Sequence, residues 1–339
     1  MSLVFKLATV DHRGFVFPVI EINSSLYDIN RGYEYYKMRT GKRDLFKAKH
    51  NYTMLDILEE WELFNNLLGE MAGFYNDNPS RTESFVYEED DIAFKPPVLY
   101  PDKILNAGSN YYDHALEMGA AKPKKDGHEP YFFYKGRTHT IIGHGDPIRL
   151  TPRSNFVDWE AEMAIVIGKS AKDVPAEKAL DYVAGYTCYN DISARDRMIR
   201  HDETFDFDWF SNKGNDTFGP LGPYITPAQF IPDIDNLSIR LYLNGEIMQN
   251  TNTNLMVWSV AELIATASSV TTLSPGDVIA TGTGAGVGMA KGANVGYSAT
   301  DKLFDHMYAG KSILLKAEDV LEVEIERLGR LINIVKGYQ

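Results

Sequence analysis

The stretch VDWEAEMAIVIG, Val157 to Gly168, sets Glu160 and Glu162 two positions apart at the entrance to an apolar run. Residues two apart share one side of a strand but lie about 200° apart around a helix, so the pair acts together only if this stretch is extended. Ala164, Ile165, Val166 and Ile167, closed by Gly168, read as a strand, with Trp159, Ala161, Met163 and Ile165 turned the other way. Carboxylates held side by side repel unless one is protonated, both are solvated, or a cation lies between them. An isolated E-x-E is most simply the wet face of an edge strand. Here the run that follows has no polar alternation, the pattern of a strand covered on both faces, and buried carboxylates need a partner. Asp191, in YTCYNDISARD, offers a third hard oxygen where a strand ends and a helix is expected to begin. Alone, an Asp at such a junction is a helix cap. With Glu160 and Glu162 it completes a site for Mg2+ or Mn2+, Ca2+ being also compatible, rather than for zinc. Asp158, on the same strand face, is the rival third ligand.

A second constellation lies in NYYDHALEMG, where His114 and Glu117 would share one face of a helical turn. A carboxylate there fixes the imidazole tautomer and raises its basicity, as a general base acting on water requires; the competing reading is an ordinary surface pair. The segment Glu117 to Pro130, rich in Gly, Lys and Pro, reads as a lid over bound substrate or as a plain surface loop. ATGTGAGVGMAKG, Ala280 to Gly292, satisfies neither G-x-G-x-x-G nor G-x-x-x-x-G-K-[ST]. It could still offer backbone N–H groups and the hydroxyls of Thr281 and Thr283 to an anionic group, or be only a tight turn. G-x-S-x-G and H-E-x-x-H are both absent, and Cys188, in a strand-like run without a local partner, reads as a buried structural thiol.

The elements that must position these groups are mostly strands. VFKLATV and GFVFPVIE are joined through DHRG, and a helix begun near Thr53 carries Leu55, Leu58, Trp61, Phe64, Leu68, Met71 and Tyr75 at helical spacing. A Pro-rich, acidic, aperiodic stretch follows, which places a domain boundary near Pro101. Residues 1–100 then form a small N-terminal α/β domain with its linker, and residues 101–339 the main domain. There, Asn244-Gly245 between alternating apolar positions predicts a hairpin, LEVEIERLGRLINIV a second one, and SVAE at Ser259 a capped helix. The fold class is α+β and β-rich, a mixed β-sandwich roll with a smaller N-terminal domain. In a chain of 339 residues, 34 Lys plus Arg against 47 Asp plus Glu give a net charge of -13, which argues against a nucleic-acid partner. No apolar run approaches the length of a membrane span, the single cysteine forms no internal disulfide, and the N-terminus lacks a signal-peptide pattern, so a cytosolic protein is expected.

From about Lys103 to Gly292 the chain resembles the fumarylacetoacetate hydrolase superfamily. The resemblance runs in order through NAGSNYYDHALEMG, DWEAEMAIVIGK, VAGYTCYNDISARD, KGNDTFGPLGP, LNGEIMQ and LSPGDVIATGTGAGVG. It implies a β-sandwich roll, usually a homodimer, with a divalent cation held at Glu160, Glu162 and Asp191. It further implies that His114 and Glu117 activate water, that Lys213 is a cation beside substrate and metal, and that Tyr134, Arg195 and Thr283 contact substrate. Relatives commonly carry Gln where this chain has Met198, and many carry Pro where it has Gly284, which suggests a less polar or differently oriented substrate.

The expected activity is metal-dependent hydrolysis of a carbon-carbon bond in acylpyruvates or other β-diketone acids, in the breakdown of aromatic compounds. The same scaffold would also serve a decarboxylase or isomerase of 2-keto acids or a 2-keto-3-deoxy sugar-acid dehydratase. A silent keto-acid-binding protein is the alternative of another class, disfavoured by the presence of both the acidic triad and the His114-Glu117 pair.

Overall fold

The structure is a computed structural model that describes residues 3–42, 51–79, 84–120, 123–200, 204, 206–293 and 300–338. It is α+β and dominated by one mixed sheet of twelve strands beside a second sheet of five. In the large sheet, the strands Val183–Asn190 and Ala161–Ile167 lie at the centre. Gly219–Pro227 flanks the former and Val278–Ala280 the latter, and Ile104–Gly108 and Tyr131–Tyr134 continue beyond Val278–Ala280. The small sheet is built on the two expected hairpins, Ser238–Leu243 with Glu246–Asn252 and Val320–Ile325 with Gly329–Lys336. Asn244 and Gly245 both adopt positive φ (53° and 83°), the backbone that a two-residue hairpin turn demands.

Every residue of Ala161–Ile167 is buried, as the uninterrupted apolar run predicts. Trp159, Ala161, Met163 and Ile165 pack into a core shared with Ile239, Leu241, Leu321, Val323 and Leu331 of the small sheet. On the opposite side Val166 packs with Ile57, Leu58, Phe64 and Leu68 from the N-terminal helices. Both faces of the site-bearing strand are therefore covered, and the glutamates at its start are fixed by two cores at once.

The N-terminal segment adds its strands to the same sheet. Lys6–His12 and Phe15–Ile22 pair as expected, through Arg13 and Gly14 at positive φ, and Leu7 lies opposite Ile225 on Gly219–Pro227. The stretch expected as a linker before Pro101 contributes the short strands Val86–Tyr87 and Ala93–Lys95, which pair with Leu26–Tyr27 and Thr9–Asp11 of the N-terminal segment, while the pairing of Leu7 with Ile225 crosses the expected boundary. The helix begun at Thr53 ends at Glu59, and a second spans Trp61–Asp77, because Glu60 leaves the helical conformation (φ -116°, ψ 40°). The apolar stripe spans both helices, with Leu58, Phe64, Leu68, Met71 and Tyr75 buried. A further helix, Ile29–Thr40, buries the short stripe Ile29, Gly32, Tyr33 and Tyr36, which the sequence reading did not single out.

The helix expected after Asp191 is replaced by the two-residue strand Ser193–Ala194, paired with Val157–Asp158, and a 3-10 turn at Arg195–Arg197. Ser193 donates its hydroxyl to the Asp191 carbonyl (3.0 Å), which closes a tight local turn instead of opening a helix. Ser259 and Glu262 do form the expected capping box, at the start of Val260–Val270. After Gly119 the expected lid segment has no helix or strand among its described residues, and Lys125 ties it to Glu262 (2.8 Å). No described helix is long and apolar enough to cross a membrane.

Candidate active site

Thirty positions separate Glu160 from Asn190, and the antiparallel register closes that distance: Ala161 lies opposite Asn190 and Glu162 opposite Tyr189. Glu160 occupies the break between Val157–Asp158 and Ala161–Ile167, where its N–H donates to Asn190 Oδ1 (3.0 Å) and its carbonyl accepts from Asp191 N (2.9 Å). Glu160, Glu162 and Asp191 are all buried, and one carboxylate oxygen from each lies within 4.8 Å of the other two. The wet-face reading of the two glutamates is thereby excluded.

Three cations stand against the triad. Lys213 Nζ lies 2.6 Å from both Glu160 Oε2 and Asp191 Oδ2, and Arg195 Nη1 lies 2.7 Å from Glu160 Oε1. Lys135, which sequence reasoning missed, bonds Asp191 Oδ1 and the carbonyls of Phe218 and Ile192. Tyr131 and Phe133 precede it at strand alternation and line the cleft, so the same period-two rule that linked the glutamates points to Lys135. Burial pushes the Lys135 amine down to about 8, with nearby Asp191 opposing.

The glutamates titrate in opposite directions. Burial alone would raise Glu160, but the charges of Lys213 and Arg195 outweigh it and hold the carboxyl at about 2. Glu162 is pushed well above the usual carboxylate range by burial and then by the charges of Asp191 and Glu160, which outweigh the opposing pull of Lys213. Among the described residues it is fixed by the backbone N–H of Gly282, donating to Oε2 (2.8 Å). A buried carboxyl kept from ionising by two neighbouring carboxylates, in a set made only of hard oxygens, fits a small divalent cation. The residues that would hold it are Glu160, Glu162 and Asp191. Asp158, the rival ligand, is otherwise committed: Oδ1 accepts from Trp159 N (2.8 Å) and Gly288 N (2.7 Å), and Oδ2 from Met289 N (3.0 Å) and Arg195 Nε (2.8 Å). It anchors Arg195 and the glycine-rich loop.

His114 and Glu117 sit on the short helix Tyr112–Glu117, with His114 Nδ1 2.8 Å from Glu117 Oε1. Glu117 Oε2 accepts from Gly286 N (2.7 Å), so the carboxylate is aimed from both sides. It accepts the Nδ1 proton and leaves Nε2 as the basic nitrogen. His114 borders the same cleft as the acidic triad.

The glycine-rich loop does bind anionic groups, and they belong to this chain. Gly282 N donates to Glu162, Ala285 N to Asp113 (3.1 Å), Gly286 N to Glu117, and Gly288 N and Met289 N to Asp158. The reading of the loop as a cradle for an external anion is thus corrected. A side chain at Gly286 (φ 109°) would come within 2.3 Å of the Met248 carbonyl, so only glycine lets the loop approach. Thr281 and Thr283 donate their hydroxyls inward, to Met163 O and Ala161 O (both 2.9 Å). Thr283 nevertheless borders the cleft, as do Lys213 and Arg195.

The cleft encloses about 540 Å³. Its lining also includes the apolar side chains of Met118, Phe133, Met198, Phe207 and Trp209; Trp209 stacks on Phe133 at 4.6 Å and on Phe207 at 6.2 Å. Tyr134, expected to contact substrate, is not in this lining and is 63% exposed. Alternation explains it: Tyr131 and Phe133 face the cleft, and Tyr134 faces away. Cys188 is buried, donates to Gly329 O (3.5 Å), and has its thiol pushed up to about 12 by burial, as befits a structural residue.

Residues 103–336 match the family described as fumarylacetoacetate (FAA) hydrolase C-terminal, and the chain belongs to that family. The mitochondrial oxaloacetate tautomerase of Xenopus laevis is 40% identical over 268 residues, 79% of this chain and 76% of that protein. Among solved structures, the 5-carboxymethyl-2-hydroxymuconate delta-isomerase of Mycobacterium smegmatis superposes with a TM-score of 0.66 at 28% identity, covering 98% of this chain and 99% of that one. The maleylpyruvate hydrolase of Sphingobium sp. SYK-6, solved with manganese(II) and pyruvate, gives 0.67 at 26% identity, covering 98% and 100%. Hydrolases and isomerases thus share this architecture.

Proposed function

We propose that this chain is a Mg2+- or Mn2+-dependent hydrolase that cleaves acylpyruvate-like β-diketone acids into pyruvate and a carboxylic acid. The observation that carries the reading is the placement of His114, oriented by Glu117, and the buried triad on one cleft. A bound divalent cation would supply Lewis acidity to the oxygens of the 2-keto acid. His114 Nε2 takes a proton from water, and the water oxygen bonds to the acyl carbonyl carbon. The bond between that carbon and the methylene of the pyruvyl half breaks, and its electron pair passes into the pyruvate enolate. The imidazolium returns its proton to the methylene carbon of that enolate, which becomes the methyl group of pyruvate. Lys213 adds positive charge beside the developing oxyanion.

A second reading, enol-keto isomerisation or decarboxylation of an oxaloacetate-like acid, is favoured by the likeness to the oxaloacetate tautomerase of Xenopus laevis. The cleft argues for the first. Arg195 and Lys213 both engage the acidic cluster, and Met118, Phe133, Met198, Phe207 and Trp209 give the lining five large apolar side chains, so an apolar acyl group is better accommodated than a second carboxylate, for which Arg195 Nη2 is the one buried side-chain donor in the lining without a partner among the described residues. With Mg2+ present, an acylpyruvate bearing an apolar acyl group is expected to release pyruvate faster than oxaloacetate is isomerised or decarboxylated. Coupled pyruvate and carbon dioxide assays, with enol absorbance for isomerisation, check this. Turnover of oxaloacetate alone would establish the second reading.

A further inference from the structure

Each of the three carboxylates has one oxygen engaged by a partner that is itself held by further hydrogen bonds. Glu160 Oε1 is held by Arg195 Nη1, and Arg195 is itself pinned through Nε by Asp158. Asp191 Oδ1 is held by Lys135, whose ammonium is also bonded to the Phe218 and Ile192 carbonyls in a fully buried position. Glu162 Oε2 is held by a backbone N–H, that of Gly282, in a loop that Asn110 fixes by donating to the Thr281 carbonyl (2.8 Å). The second oxygens of Glu160 and Asp191 converge on the Lys213 ammonium, 2.6 Å from each, and are the oxygens a cation would take as that ammonium shifts aside.

We infer that Lys135, Arg195 and the Gly282 N–H are positioning groups that limit each carboxylate to one oxygen toward the cation, and that this selects a small octahedral ion against Ca2+. The inference rests on the triad being the cation site. Ca2+ is satisfied by six to eight oxygens, commonly through carboxylates that bind with both oxygens, whereas Mg2+ takes a compact octahedron and keeps several waters. Three single oxygens leave about three positions of an octahedron for water and substrate. They leave Ca2+ short of protein ligands unless one carboxylate can turn.

Lys135 is the lever that can be removed. Lys135→Met deletes a positive charge beside the site, which by itself strengthens every divalent ion alike, and it also frees Asp191 to bind through both oxygens. Only the second effect changes the ratio of Ca2+ to Mg2+ affinity. Partners behind metal ligands are typically worth about 10- to 100-fold in affinity, so the ratio is expected to rise about tenfold.

The experiment is calorimetric titration of Mg2+, Mn2+ and Ca2+ into the wild type and Lys135→Met, with thermal unfolding to confirm that the variant is folded. Arg195→Met frees Glu160 Oε1 and should shift the ratio in the same direction; it decides the matter if Lys135→Met does not fold. An unchanged ratio in a folded variant, an equal rise for all three ions, or a wild type that prefers Ca2+ to Mg2+ would overturn the inference. A wild type that binds none of the three ions would instead overturn the assignment of the triad.

Discussion

Glu162→Gln is expected to abolish divalent-ion binding and turnover while the fold persists. Glutamine matches the shape of the buried carboxyl and still accepts the Gly282 N–H, but it removes a ligand charge. The loss of Mn2+ affinity should exceed the ~10- to 100-fold typical of residues behind the ligands. Glu160→Ala removes a ligand less cleanly, because it strands Lys213 and Arg195; losing one partner of a buried pair costs about 3–5 kcal/mol. Glu162→Gln also has a pH signature in the metal-free protein. The folded-state pKa of Glu162 lies above its ordinary value, through burial and the neighbouring carboxylates. The folded chain therefore keeps a proton that the unfolded chain releases. The stability this contributes is fully present below the unfolded-state pKa and is lost as pH rises through the folded one. Urea unfolding across that range should show wild type losing stability relative to Glu162→Gln, and saturating Mn2+ should reverse the order. Unchanged Mn2+ affinity in the variant would make Glu162 a structural residue only.

His114→Ala is expected to separate hydrolysis from reactions that need no attacking water. Acylpyruvate cleavage should fall by the ~10²- to 10⁴-fold that a general base contributes. Metal-assisted decarboxylation of oxaloacetate should largely survive. Glu117→Gln should act in the same direction and less strongly, because it weakens the imidazole's orientation and basicity without removing the base. It also weakens the acceptor for Gly286 N, so the variant's Mg2+ affinity must be measured beside its rates. Equal losses in both reactions would mean that His114 shapes the cleft instead of activating water. No loss in either would remove the helix Tyr112–Glu117 from the mechanism.

Much of the site was legible because its logic is local. Two glutamates at strand spacing before a run without polar alternation could only be buried together, and a His and a Glu three apart on a helical turn could reach each other. What could not be read depends on distant pairing. Whether Asp158 or Asp191 is the third carboxylate turns on four hydrogen bonds from Trp159, Gly288, Met289 and Arg195 that only the folded loop supplies. The glycine-rich loop was ambiguous for the same reason, since its N–H groups point at side chains more than a hundred positions away. The pairing of Leu7 with Ile225 carries the sheet past Pro101, where composition alone suggested a boundary. Tyr134 and Lys135 show the opposite case: strand alternation, applied at Tyr131 and Phe133 as it was at Glu160 and Glu162, would have turned the tyrosine outward and the lysine in.

The central claim is that one divalent ion sits among Glu160, Glu162 and Asp191, in front of His114. Anomalous diffraction at the manganese edge, from crystals grown with Mn2+ and oxalate as a pyruvate-enolate mimic, tests it most directly. A single strong peak should lie about 2.1 Å from one oxygen of each of the three carboxylates, with oxalate between the ion and the His114 face of the cleft. No peak in the cleft, or a peak ligated by Asp158 in place of Asp191, would contradict the account.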